Sequence, residues 1–148
     1  MSTSTIMVQM ADTRWTWAAM YEACAQARKL GAEVALVKLL PLEFLAWMGG
    51  EDGTYTFTDS ESEDIRNYEA IAQENGVETS VHVFPYTRFD QGVVDAADKL
   101  NADTVFVELH DAPFKFLHTR HIHKLEHDLA AHRHHLRAYD VPATVNPH

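Results

Sequence analysis

Residues 5–40, TIMVQMADTRWTWAAMYEACAQARKLGAEVALVKLL, decide the fold. Thr5 to Met10 is a short apolar run closed by Ala11 and Asp12, the pattern of a strand buried on both faces. Asp12 opens a helix in which Trp17, Met20, Tyr21, Cys24 and Ala27 share one stripe, and Gly31 supplies its stop. Glu33 to Leu40 then reads as a second buried strand, ended by Pro41. Strand, helix and strand within 36 residues form a parallel crossover unit.

The same alternation continues outward from this unit. Leu42 to Phe57 lacks clean periodicity and is a long connection. The acidic start DSESED marks a helix from Asp59 to Asn75, with Ile65, Tyr68 and Ala72 on one face and Gly76 at the stop. Val77 to Phe84 alternates like an edge or half-buried strand. Asp90 is placed to cap a short helix bearing Val93, Val94, Ala97 and Leu100, and Asp103 to Leu109 is an apolar strand. A long helix is expected from Thr119 to Tyr139, and a last short strand at Pro142 to Asn146. Five strands and four helices in this order predict an α/β fold. It is a five-stranded, parallel, doubly wound sheet with helices on both faces.

Length and composition agree. A chain of 148 residues, 46% hydrophobic and 23% charged, suits a single domain over 1–148 with one core. Its net charge of −10 repels phosphate backbones, so no nucleic-acid partner is expected. No stretch is apolar enough for a membrane span and the start lacks a leader pattern, so a soluble cytoplasmic protein is expected. Cys24 is the only cysteine and falls mid-stripe, where it reads as core rather than chemistry.

In open α/β sheets ligands sit beyond the carboxyl ends of the strands, where the strand order reverses. With the first strand central, that rule selects Ala11, Asp12 and Thr13 after strand one, Leu40 after strand two, and Glu108, His110 and Asp111 after strand four. Trp15 lies near the end of strand one, well off the predicted buried stripe. With Phe44, Trp47 and Met48 it is a candidate wall over Asp12 and His110. Asp12 would accept from a hydroxyl or amine, His110 would donate, and Leu40 and Trp15 would form apolar walls.

The opening stretch, the pattern NADTVFVEL and the closing VPATVNP together resemble the universal stress protein family. That resemblance implies the same sheet and, in members that bind ATP, an acidic residue ending strand one and a loop G-x2-G-x9-G-S/T after strand four. Here the acidic position falls at Ala11 or Asp12, and the loop falls on ELHDAPFKFLHTRHIH, residues 108–123, which contains no glycine. ATP held in the family manner is therefore not expected. The resemblance also implies a homodimer, paired through the C-terminal strand at Pro142 to Asn146.

Other chemistries lack their residues. A phosphorylated receiver domain needs an acidic pair after strand one, an acceptor Asp after strand three and a Lys after strand five, where this chain has only Asp12, Pro85 and Asn146, and no hydrolase, P-loop or dinucleotide motif is present. No enzyme is expected. Eight of ten histidines fall between His110 and His135. On the predicted helix, Ile122, Leu125, Leu129 and Leu136 form the apolar stripe. His123, His127 and His134 project to solvent, and His123 with His127 could share a divalent transition metal. The expected function is a regulatory or small-ligand-binding module of stress response, with adenine-nucleotide binding and histidine-based metal binding as alternatives.

Overall fold

The computed structural model describes residues 4–44, 55–108 and 115–137, with side chains given for all of these except 115–122 and 137. The elements are β1 (Thr5–Gln9), α1 (Thr13–Leu30), β2 (Glu33–Pro41), α2 (Asp59–Glu74), β3 (Thr79–Tyr86), α3 (Phe89–Leu100), β4 (Ala102–Phe106), α4 (Lys115–Ala131) and β5 (His135–Arg137). The sheet runs β3-β2-β1-β4-β5 and every pairing is parallel. The five-stranded, parallel, doubly wound fold expected from the sequence is the fold found.

Alternation along each strand divides the core between two faces. Ile6, Val8, Val34, Leu36 and Phe106 pack against α1 and α2, together with Trp15, Tyr68 and Ile71. Met7, Val37 and Val105 turn the other way, against Val93, Val94 and Ala97 of α3 and Leu125 and Leu129 of α4. On α3, Gly92 permits close approach to β3, because a Cβ there would lie 2.5 Å from Tyr86 Cβ.

Local punctuation explains most boundaries. Asp12 caps α1 by accepting from the Trp15 amide, and Gly31 closes it in the left-handed region at φ 66°. Thr58 and Glu61 form a reciprocal capping box at the start of α2, which also places Asp59 and Glu61 at the positive helix end. At α3 the cap falls on Arg88, which makes no side-chain cap bond. Asp90, expected as the cap, instead sits inside the first turn and accepts from Arg88 and Lys124.

Two expectations fail in informative ways. On α1 the fully buried positions are Trp15, Ala19, Ala23 and Ala27, beside Thr16, Met20 and Cys24, while Tyr21 is 50% exposed and Trp17 is half-buried. The assignment of the two tryptophans therefore reverses. Alanines at every fourth position let the helix lie close on the sheet and carry Trp15 inward. Near the C-terminus, the helix expected to reach Tyr139 ends at Ala131, and Leu136 belongs to β5 rather than to a helical stripe. There, Arg133 and His134 amides donate back to Ala130 and Leu129 carbonyls, with Arg133 at φ 69°. This is a Schellman closure with arginine in the position glycine usually holds, so no glycine signals it. His134, expected in solvent, is buried. The strand expected at 142–146 lies outside the described residues.

Candidate functional site

β1 is flanked by β2 on one side and β4 on the other, so the chain order reverses between β1 and β4. The crevice at their carboxyl ends is where the sequence reading placed Ala11, Asp12, Thr13 and Glu108. The structure brings these four together. The Asp12 amide donates to Glu108 Oε2 at 3.3 Å, and the Glu108 amide donates to Gln9 Oε1 at 3.0 Å. Thr13 Oγ1 donates to Asp64 Oδ2 at 3.1 Å, tying α1 to α2.

Four amides around the start of α1, those of Ala11, Asp12, Trp15 and Thr16, are taken within the chain. Ala11 donates to Thr16 Oγ1, Trp15 to the Asp12 carboxylate, and Thr16 to the Asp12 carbonyl. With Glu108 on the Asp12 amide, the positive helix end is already faced by two carboxylates of the protein itself. An incoming anion meets like charge here. A hydroxyl or amine meets acceptors.

Trp15 and Leu40, expected as apolar walls, are 1% and 7% exposed and belong to the core. Phe44 is 41% exposed. His110, Asp111, Trp47 and Met48 lie outside the described residues.

The sequence reading missed a neighbouring recess of about 50 Å³, lined by Met10, Ala11, Lys38, Phe57, Glu61, Asp64, Ile65 and Tyr68. As bounded by the described residues it has room for a few water molecules rather than for a typical ligand. Lys38 on β2 pairs with Glu61, which also accepts from Tyr55 Oη at 2.6 Å and from the Thr58 amide at 2.9 Å. Burial pushes the Glu61 carboxyl up, but hydrogen bonds from Lys38, Thr58 and Tyr55, with the Lys38 charge, outweigh it and bring it down to about 2. Burial and the Glu61 carboxylate together push Tyr55 up to about 12. Tyr68 also rises to about 12, first through burial and then through the Asp64 charge. Lys38 within the apolar run EVALVKLL was the available signal, since a lone cation in a buried strand calls for a partner.

Cys24 is fully buried, and burial pushes its thiol up to about 11, so it is poorly suited to act as a nucleophile. His123 and His127 are exposed on consecutive turns of α4. Among the described residues no three His, Cys, Asp or Glu side chains are grouped closely enough to hold a metal ion. No helix among them is long and apolar enough to cross a membrane.

This sheet order, with its crevice beside the central strand, defines a universal stress protein-like α/β fold. A universal stress protein solved in complex with cAMP superposes with a TM-score of 0.57 at 13% identity, covering 93% of this chain and 96% of that one. A universal stress protein from Archaeoglobus fulgidus gives 0.57 at 18% identity, with 90% of each chain covered. One from the same organism in complex with dAMP gives 0.52 at 15% identity, covering 91% of this chain and 95% of that one. The likeness is one of fold. By sequence, no family profile and no curated protein matches the chain.

Proposed function

We propose that this chain is a non-enzymatic regulatory module of stress response that binds a small ligand at the β1–β4 crevice. The ligand presents hydroxyl or amine donors to Asp12 and Glu108 rather than a row of phosphates. One observation carries the reading: the Asp12 amide, at the positive end of α1, is taken by the Glu108 carboxylate. Phosphate would have to displace that carboxylate and would remain beside it. No glycine follows within residues 108–123 to let the backbone wrap an anion instead. The protein works as a cytoplasmic homodimer, paired through its C-terminal strand.

The second reading, an adenine nucleotide in this crevice, is favoured by the cAMP and dAMP in two structures of similar fold. A third, metal binding, rests on exposed His123 and His127, which supply two ligands of the four that zinc normally takes.

Native mass spectrometry of the purified chain tests the proposal. The expected result is a dimer mass together with a retained molecule lacking a triphosphate, lost on Asp12→Ala. Recovery of bound ATP, or a monomer with no retained molecule and no melting shift in millimolar adenosine, contradicts it.

A further inference from the structure

The corner where α4 turns into β5 holds three ionisable side chains that the crevice does not use. Asp98, near the end of α3, spans two imidazoles: Oδ2 lies 2.8 Å from His132 Nδ1 and Oδ1 lies 2.7 Å from His134 Nε2. The His134 side chain is only 5% exposed, and its second nitrogen, Nδ1, is hydrogen-bonded to the Ala102 carbonyl on β4. Both nitrogens of one buried ring therefore face acceptors.

That arrangement sets a proton count. A neutral imidazole offers one N–H and one lone pair, so one of the two oxygens would meet a lone pair at hydrogen-bond distance. At a ring only 5% exposed such a mismatch is unfavourable. The carbonyl cannot donate. Nor does Asp98 serve as the donor: burial pushes its carboxyl up, but hydrogen bonds from His134 and His132 outweigh this and hold it below the usual range. It is a carboxylate at neutral pH.

We propose that His134 is held with both nitrogens protonated, as a cationic clasp. Loss of one of those protons releases the α4–β5 turn and edge strand β5 from α3 and β4. Among the described residues the ionisable groups facing the ring are Asp98 from α3 and His132 from the turn. β4 contributes the neutral Ala102 carbonyl. Arg133 and His135, on either side of His134, are exposed. The closed corner binds one proton more than a released neutral ring, so closure is favoured at lower pH and lost as pH rises. β5 is short, pairing with β4 at three positions and packing Leu136 on the core, and Arg133 beside the clasp is left-handed without being glycine. The device makes the docking of an edge strand proton-dependent.

Ring-nitrogen NMR on the labelled full chain reads the proton count directly. At about pH 7, where an unperturbed imidazole is largely neutral, His134 is expected to show two protonated ring nitrogens. A single protonated nitrogen at His134 overturns the proposal. Asp98→Asn supplies the second arm, because its amide can donate to Nε2 of a neutral ring while Nδ1 still serves Ala102. Exchange protection of the β5 amides, corrected for intrinsic rates, is expected to fall about tenfold per pH unit in the wild type once the ring loses its proton. In Asp98→Asn it is expected to stay nearly constant. Equal pH dependence in the two proteins, or none in the wild type, contradicts the clasp.

Discussion

The two flanks of central strand β1 are built differently. On one side β2 and β3 are nine and eight residues long and pair at eight positions. On the other, β4 and β5 are five and three residues long and pair at three. The first flank is secured by a long register; in the second, β4 is buried at Ala102, Val105 and Phe106, while β5 adds half-buried Leu136 and depends on polar contacts at Asp98 and His134. Apolar packing is indifferent to pH, whereas a buried imidazole is not. One sheet thus has a permanent side and a conditional side.

Truncation exposes this difference most strongly. Leu36→Ala, at a fully buried position of β2, is expected to cost about 2–5 kcal/mol, and Leu136→Ala, at a half-buried position of β5, under about 1.5 kcal/mol, both by chemical denaturation. Similar losses at the two positions would erase the contrast. Acid attacks the β2–β3 side at Glu61. Glu61 is depressed from 4.5 to about 2, so its contribution is complete above about pH 4.5 and disappears as pH falls toward 2. Removing the partner by Glu61→Gln should lower stability at neutral pH and flatten the stability profile across that window.

On the conditional side, Asp98→Ala leaves His134 Nε2 without its acceptor and is expected to cost about 1–2 kcal/mol, since Asp98 is itself 40% exposed. The loss should shrink at higher pH, and a pH-independent loss would place the role of Asp98 in packing alone. Thr58→Ala, which removes half of the α2 capping box, is expected to cost about 1 kcal/mol with no pH dependence between 6 and 8. Smallest of all, Arg133→Gly relieves a left-handed arginine and is expected to stabilise by up to about 1 kcal/mol in thermal melts.

The same division separates what could be read in the sequence from what could not. Strands β1, β2 and β4 announce themselves as apolar runs, and Asp12, Gly31 and the DSESED start mark helix ends by rules that act within a few residues. With β1 taken as central, the switch-point rule selected Asp12, Thr13 and Glu108 from residues far apart in the chain, and the sheet order brings them to one crevice. Where tertiary packing decides, the pattern was silent. Trp15 is buried because Ala19, Ala23 and Ala27 let α1 lie close, and alanine carries little weight in a hydrophobic stripe. The end of α4 was invisible because Arg133 stands where glycine would have signalled a stop, and His134 resembles the solvent-facing histidines around it until Asp98 and Ala102 are brought beside it. Lys38 was legible only as an anomaly, since its partner Glu61 lies across a long connection.

The central functional claim is that carboxylates already occupy the positive end of α1, so that the crevice takes donors rather than phosphates. Titration calorimetry of the purified chain with magnesium-ATP tests this most directly. The account predicts no saturable heat at millimolar nucleotide. A one-to-one isotherm with Kd below about 100 μM, abolished by Asp12→Ala, would contradict it.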